Sequence, residues 1–299
     1  MRGNTVARVP RVPFTLAHPA AILPFSRGPL VPSALVMGSM APDLTYYVPL
    51  PWLDPTGTLL TRTHHASSVF WLDPLLALVL LVVFHVLLKR PVVALLPPAA
   101  AGRVWRSAER FTWRRATAAW WIAVSLVIGA ATHVAWDRLG GAFGEDHSPK
   151  LDLAGGVLGF AALLVWTWRW WRATSTQPIP TGLRLPARLR TVVWSAVVAA
   201  PLVLGTIGAV SGVRQLIAAD EMDHSDLPPD IIPPTWTGKD MAELAVRQFA
   251  VNGVAALCVV LAIYAVGWHL SRLATRGRGS TGPGPGGGAP PPRDVPRSC

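Results

Sequence analysis

The chain has 299 residues, of which 51% are hydrophobic and only 14% are charged, and several of its apolar runs are far longer than a soluble core helix needs. The formal net charge of +11 comes from basic residues that cluster between those runs, which is typical of topology signals and not of nucleic-acid binding. Two cysteines, Cys258 and Cys299, supply neither a disulfide framework nor a thiolate metal site. Composition therefore excludes a soluble enzyme, a nucleic-acid-binding protein and a redox protein, and it indicates a polytopic membrane protein.

Residues 1–68 form an N-terminal segment for which we predict short or re-entrant helices. Its apolar stretch from Pro29 to Met40 is too short to cross a bilayer, so we expect a short helix packed on the bundle, with Asp43 at its end. Three motifs in the segment place a His or Asp beside Pro, Gly or Thr, and these neighbours suit shaped turns that hold a side chain toward a shared centre. The motifs are Phe14-Thr15-Leu16-Ala17-His18-Pro19, Gly38-Ser39-Met40-Ala41-Pro42-Asp43 and Thr63-His64-His65.

Residues 69–270 contain five apolar runs, each of about 20 residues, the length that crosses about 30 Å of hydrocarbon. Tryptophans gather at the ends of these runs, as expected for aromatic belts at a membrane interface. The predicted fold is an all-α, polytopic transmembrane helical bundle of about five spans. The spans lie near residues 69–88, 118–136, 151–168, 192–213 and 249–270.

The charges of the loops predict the orientation. The loop 89–115 and the loop after Trp168 are basic, whereas the loops around Glu145 and at residues 220–230 carry acidic residues. The basic loops should therefore face the cytoplasm, together with a disordered Gly/Pro/Arg tail at 271–299. Five spans then place the N-terminal segment outside despite its arginines, unless residues 29–50 re-enter or cross. The side of the N-terminus stays open.

His133 and Asp137 lie four residues apart near the end of the second span, and on a helix this spacing puts both side chains on one face. A polar pair of this kind is costly in a bilayer and marks a candidate functional site. The predicted topology puts the pair at the outer face, where His18, Asp43 and His64 can reach it. The alternative is structural: His133 and Asp137 as an ion pair between helices, with His18 and Asp43 as turn and cap residues.

These motifs resemble the bacterial membrane proteins grouped as domain of unknown function family 4184. The family is uncharacterised, and its His and Asp spacing is similar to that of inner-membrane proteins described as metal-dependent hydrolases and, more distantly, to zinc-dependent phospholipase C-like folds. The resemblance implies a metal site in a multi-pass protein of the bacterial inner membrane. His65 stands where a serine is expected, so either His64 or His65 is the ligand, and we favour His64. The resemblance covers about Pro13 to Asp137 and rests on Phe14-Thr15 with His18-Pro19, Gly38-Ser39 with Pro42-Asp43, Thr63-His64, and His133 with Asp137.

Histidine and carboxylate ligands without cysteine suit a divalent metal, with zinc favoured and manganese or iron as alternatives. A catalytic ion lowers the pKa of a bound water molecule to about 7 and so prepares it to attack an ester or phosphoester. His18, Asp43, His64, His133 and Asp137 are more donors than one ion needs. We therefore expect either two ions or one residue acting as general base, with Asp137 as that base or as the partner that orients His133.

The predicted function is a metal-dependent hydrolase that acts on a lipid headgroup or lipid-linked intermediate at the outer membrane face. The alternative is a nonenzymatic scaffold or transporter whose His and Asp pairs hold the bundle together. Transport is disfavoured because the spans after Asp137 carry almost no charge within. The oligomeric state stays open, because small residues such as Gly155, Gly156 and Gly159 can pack within one chain or between chains.

Overall fold

The computed structural model describes residues 15–48, 58–109, 111, 116–142, 148–220 and 236–279. Every regular element within these ranges is helical. A 3-10 helix at Thr15–Phe25 comes first, and shorter 3-10 turns lie at Ser68–Phe70 and Thr181–Leu183. The α-helices of the described residues are α1 (Pro32–Met40), α2 (Leu44–Tyr47), α3 (Leu59–Thr63), α4 (Leu72–Val82), α5 (Lys89–Leu95), α6 (Pro98–Ala108), α7 (Ala116–Ala142), α8 (Ser148–Ala173), α9 (Ala187–Asp220) and α10 (Gly238–Gly279).

Four helical stretches in the described residues are long and apolar enough to cross a membrane: Leu72–Leu95, Thr117–Leu139, Ala187–Ala218 and Gly238–Ala274. They coincide with four of the predicted spans, and the predicted helical membrane bundle is confirmed. The remaining predicted span, 151–168, lies on α8, which is not among the four. Its crossing of the membrane stays a prediction. The acidic loops used to predict orientation, and residues 280–299 of the tail, lie outside the described residues.

The first span is longer than the sequence predicts. A π-helical turn at Val83–Leu88 joins α4 to α5, so the helix continues to Leu95 instead of ending at Leu88. Pro91 lies inside α5 and has no N–H for the carbonyl of Leu87, four residues earlier. That carbonyl accepts a hydrogen bond from Nε2 of His269 on α10 at 3.0 Å, and the carbonyl of Pro91 accepts one from the Tyr264 hydroxyl at 3.0 Å. The last span thus supports the first where proline interrupts its hydrogen bonding.

The last helix is longer than predicted at both ends. It begins at Gly238, because Thr237 and Asp240 cap it reciprocally: the Thr237 N–H donates to Asp240 Oδ2 at 2.8 Å, and the Asp240 N–H donates to Thr237 Oγ1 at 3.3 Å. At the other end the helix runs to Gly279. The helix thus continues past residue 271, where the sequence predicts the tail to begin, since Arg272, Leu273 and Ala274 are good helix formers and prolines begin only after them.

The core of the N-terminal half lies between α1, α4 and α7. A short helix is present where the sequence predicts one, and α1 packs directly on α7 with Gly38 facing Gly129. A Cβ atom on either glycine would lie 2.9 Å from the Cα atom of the other, closer than real Cβ atoms approach a neighbour. Ala34 and Leu81 are fully buried beside this contact, together with Leu126. Glycine at both positions lets the two backbones touch.

The other long helices also approach their neighbours closely at glycine residues. Gly159 of α8 faces Ala17 in the 3-10 helix, and Gly155 of α8 faces the indole of Trp136 on α7. These glycines therefore pack within the chain, one of the two arrangements that the sequence left open. Along α9 and α10, Gly212 meets Gln248 while Gly253 meets Pro201, so the two helices run antiparallel in close contact.

The contact between α1 and α7 generates a test of stability. Replacing Gly129 by alanine forces backbone atoms apart, and we expect Gly129→Ala to lower the free energy of unfolding by about 1–3 kcal/mol. The matched control is Gly267→Ala on α10, since a Cβ atom there meets nothing within 4 Å. Alanine is the better helix former, so this control should be neutral or stabilising by up to about 1 kcal/mol. Thermal unfolding in detergent measures both, and equal effects would contradict the packing argument.

Candidate metal centre

The five predicted site residues come from four separate elements and meet at one end of the bundle. His18 lies in the 3-10 helix Thr15–Phe25, Asp43 directly precedes α2, and His64 directly follows α3. His133 and Asp137 lie one turn apart on α7. Two overlapping groups of side chains each bring their donor atoms within 4.8 Å of one another: Asp43, His64 and His133, and His18, His133 and Asp137.

Two imidazole nitrogens and two carboxylate oxygens lie at similar distances from one another in four nitrogen–oxygen pairs. Nε2 of His64 lies 3.3 Å from Asp43 Oδ1 and 3.4 Å from Asp137 Oδ2. Nε2 of His133 lies 3.5 Å from Asp43 Oδ1 and 3.3 Å from Asp137 Oδ2. The corners of a tetrahedron around zinc lie about 3.3 Å apart when each metal–ligand bond is about 2.0–2.1 Å. The four distances match this value, so each imidazole nitrogen is spaced from both carboxylate oxygens as two ligands of one ion are.

Hydrogen bonds hold two of the imidazoles with Nε2 toward this set. Nδ1 of His133 donates to the carbonyl of Ser39 at 2.7 Å, and since a carbonyl only accepts, the proton is on Nδ1. Nδ1 of His64 lies 3.2 Å from the hydroxyl oxygen of Thr63, which itself donates to the carbonyl of Pro42 at 2.9 Å. Such outer partners fix the tautomer of metal-binding imidazoles. Asp137 faces Nε2 of His133, and the Ser39 carbonyl faces its Nδ1; orientation of His133 through Asp137 stays a prediction.

His18 approaches the two carboxylates from another side. Its Nε2 lies 3.1 Å from Asp137 Oδ1, and its Nδ1 lies 3.9 Å from Asp43 Oδ2. These are the carboxylate oxygens outside the four-atom set. The ring of His18 also packs on that of His133, with 4.0 Å between centroids. His18 thus contacts the set through Asp137 and is placed to accept or donate a proton there.

The cluster is closed on one side and open on the other. The side chains of Asp43 and His133 are fully buried, whereas those of His64 and Asp137 are 26% and 19% exposed. Of the two neighbouring histidines, His64 lies in the cluster and His65 is exposed, which favours His64 as the predicted ligand. Water or a small reacting group can therefore approach the cluster from the side of His64 and Asp137.

The buried charges fit a divalent cation. Two ionised carboxylates in a largely water-free site are costly unless positive charge compensates them. Nε2 of His133 and Oδ2 of Asp137 are both buried and have no well-formed hydrogen-bond partner among the described residues. Neutral imidazoles with one divalent ion would leave the cluster without net charge. Two protonated histidines would also balance the charge, and metal content distinguishes these cases.

Sequence reasoning missed the polar residues that support the cluster. Asp73 is fully buried in the first turn of α4, and its Oδ2 accepts a hydrogen bond from the Ser68 hydroxyl at 2.7 Å. The same hydroxyl lies 3.0 Å from the carbonyl oxygen of Thr63, so it ties the turn that carries His64 to the first span. In the sequence Asp73 only weakens an apolar run. The sequence did contain one indication of this role, because Asp73 follows Ser68 by five residues and Thr63 by ten.

Tyr46 flanks the cluster in α2, outside the candidate spans. Burial, and then the negative charge of Asp43, raise the pKa of Tyr46 above its ordinary value. The guanidinium of Arg247 on α10 faces the Tyr46 ring at 6.0 Å from its centroid. The phenol therefore keeps its proton at neutral pH, and the N-terminal part of α10 lies at the same end of the molecule as the cluster.

Fold and site together define a helical membrane protein with a buried cluster of three imidazoles and two carboxylates at one end of its spans. Residues 12–143 match the family model described as Domain of unknown function (DUF4184), which confirms the predicted resemblance. The matched region contains all five residues of the cluster. No curated protein and no solved structure matches the chain.

The hydrogen bonds of Thr63 make the support of His64 testable. Thr63→Val removes the hydroxyl but keeps the shape, so His64 loses the partner of its Nδ1, and we expect zinc affinity to fall by about 10–100-fold. Thr61→Val is the matched control, because Thr61 lies in the same short helix and is exposed. Chelator competition on the detergent-purified protein measures both affinities. Equal affinity in the two variants would contradict the role of Thr63.

Proposed function

We propose that the protein is a metal-dependent hydrolase that uses the cluster at the membrane face. The proposal rests on the spacing of the donor atoms: the Nε2 atoms of His64 and His133 each lie 3.3–3.5 Å from a carboxylate oxygen of Asp43 and of Asp137. A structural ion pair between two helices needs one His and one Asp. Three histidines and two aspartates from four elements fit a coordination site better.

The donor set favours zinc, with manganese or iron as alternatives. Two imidazole nitrogens and carboxylate oxygens, without sulfur, suit these ions, and catalytic zinc is held by three protein ligands with one position left for water or substrate. We assign the ligand role to Asp43, His64 and His133. Asp43 and His133 are fully buried, and His133 and His64 have their Nδ1 atoms directed to other partners.

Asp137 lies beside these three ligands, with the fourth position left to water, and is the general base in this proposal. Its side chain is partly exposed, so it is the carboxylate that an approaching water molecule reaches first. A bound divalent ion would acidify that water and polarise the bond to be cleaved. Asp137 takes up the proton through Oδ2, while His18, 3.1 Å from Oδ1, holds the carboxylate in place and relays the proton onward.

A lipid-related ester or phosphoester is the substrate that the surroundings favour. Phe70 and Trp71 precede the first span, Trp136 and Leu139 flank Asp137 on the second, and all four side chains are exposed. Large aromatic side chains of this kind lie at the level of lipid headgroups. The open side of the cluster is therefore at the depth where the polar part of a lipid would lie.

The site faces outward in this proposal, and the protein is located in the bacterial inner membrane. The basic side chains of α5, α6 and the segment after α8 lie together at the opposite end, where Arg103 packs over Trp171 and Arg106 hydrogen-bonds Ser175. Positive charge of this kind is retained on the cytoplasmic side. This asymmetry supports an outward-facing cluster.

Metal content tests the binding site. We expect the full chain, purified in detergent, to contain about one zinc, manganese or iron ion, and His64→Ala and His133→Ala to lose it because each removes a ligand. His65→Ala is the control, since His65 is adjacent but exposed, and it should retain the ion. Inductively coupled plasma mass spectrometry gives the stoichiometry. A native protein without metal would identify the cluster as a structural ion-pair network and reject the hydrolase.

The role of Asp137 is tested by separating binding from turnover. Asp137→Asn keeps the shape but removes the base, so we expect metal content near that of the native protein and hydrolysis lowered by about 100-fold or more. Chromogenic phosphate esters and phospholipids in mixed micelles serve as substrates. Loss of the metal in Asp137→Asn would show instead that Asp137 is a ligand, and unchanged hydrolysis would contradict both roles.

A further inference from the structure

The end of the bundle opposite the His and Asp cluster contains a basic cavity of about 500 Å³. Arg90 from the end of the first span and Arg272 from the end of the last span line it, together with Trp105, Trp268 and His269. Two arginines from different helices thus line one open cavity. Guanidinium groups in such an arrangement suit a phosphate, whose oxygens accept their N–H groups in pairs.

An apolar cavity of about 630 Å³ adjoins the basic one. The two share Trp268 and Arg272, and the second continues between α9 and α10 along apolar side chains such as Val192 and Ile263. It runs on the side of the helices where a bilayer would lie. A basic pocket that opens into an apolar groove is complementary to an anionic headgroup with an attached hydrocarbon chain.

Trp268 and Arg272 line both cavities, and contacts within the protein hold them in place. Trp268 is only 9% exposed, and its Nε1 has no hydrogen-bond partner among the described residues, which is unusual for a buried indole. Arg272 lies over the Trp268 ring, 4.9 Å from a ring centroid. The neighbouring His269 is fixed by its hydrogen bond to the carbonyl of Leu87. The indole N–H is therefore a donor that the protein itself does not use.

The cavities lie at the second membrane interface. Arg247 faces Tyr46 beside the His and Asp cluster, and Arg272 lies on the same helix about 37 Å farther along at about 1.5 Å per residue. The hydrocarbon core of a bilayer is about 30 Å thick. The basic cavity is thus at headgroup level on the side where the arginines cluster, and pockets of this kind between spans on the cytoplasmic side bind anionic lipids.

We propose that this end of the bundle binds an anionic phospholipid, with its phosphate between Arg90 and Arg272 and one acyl chain in the groove between α9 and α10. The site is separate from the His and Asp cluster and does not depend on a metal. The bound lipid would join the first span to the last two, since its phosphate contacts α5 and α10 while its chain packs against α9.

Native mass spectrometry of the full chain in detergent tests the headgroup. We expect phosphatidylglycerol to bind at least about tenfold more tightly than phosphatidylcholine, and Arg272→Gln to reduce that affinity by about tenfold. Arg90→Gln provides a second variant on an exposed side chain, where folding is not at risk. Arg188→Gln is the control, because Arg188 is exposed at the start of α9 and lines neither cavity. Equal binding of the two lipids, or an equal loss in Arg188→Gln, would overturn the proposal.

A substitution in the apolar groove tests whether the ligand is a lipid or a soluble phosphate compound. Gly267 lines the apolar cavity, and a Cβ atom there meets nothing within 4 Å, so Gly267→Leu places a side chain in the groove. We expect this variant to weaken phosphatidylglycerol binding by about tenfold and to leave glycerol phosphate binding unchanged. Glycerol phosphate binding as tightly as the lipid, with no effect of Gly267→Leu, would overturn the lipid assignment.

Discussion

The backbone contact of Gly38 with Gly129 is the constraint on which the rest of the structure depends. It brings α1 against α7 at a distance that only glycine allows. Ser39, the next residue on α1, can then present its carbonyl to His133, one turn along α7 from Gly129. The chain leaving α1 carries Asp43 toward the same histidine. One close approach of two helices therefore sets the positions of two donors, Asp43 and His133, and the tautomer of His133.

A bilayer makes the composition of the cluster costly, and the surrounding structure reduces that cost. Apolar side chains of α1, α4 and α7 seal the cluster on its inner side, while Thr63, Ser39 and Ser68 satisfy the outer nitrogen and oxygen atoms. The inner atoms, which point toward one another, are left to an ion or to shared protons. Donor groups that face one another and have outer partners in the protein are typical of binding sites, whereas a helix-joining ion pair needs only one His and one Asp.

The sequence was informative about which polar side chains meet, and it was not informative about where the first and last spans end. The four-residue spacing of His133 and Asp137, together with the motifs around His18, Asp43 and His64, was enough to predict which side chains meet. The ends of the first and last spans were not predictable from hydropathy, because the π-helical turn at Val83–Leu88 and the extension of α10 depend on tertiary contacts and capping. Asp73 was overlooked since its only visible property in the sequence is to interrupt an apolar run.

The hydrogen bond from His269 to the Leu87 carbonyl joins residues that are synthesised far apart in time. The first span leaves the ribosome with a proline that withholds the usual α-helical donor from Leu87, and the replacement arrives on the last span, 182 residues later. The carbonyl of Leu87 gains this partner only when the last span is in place. The first and last spans are therefore joined at this end of the bundle only in the complete chain.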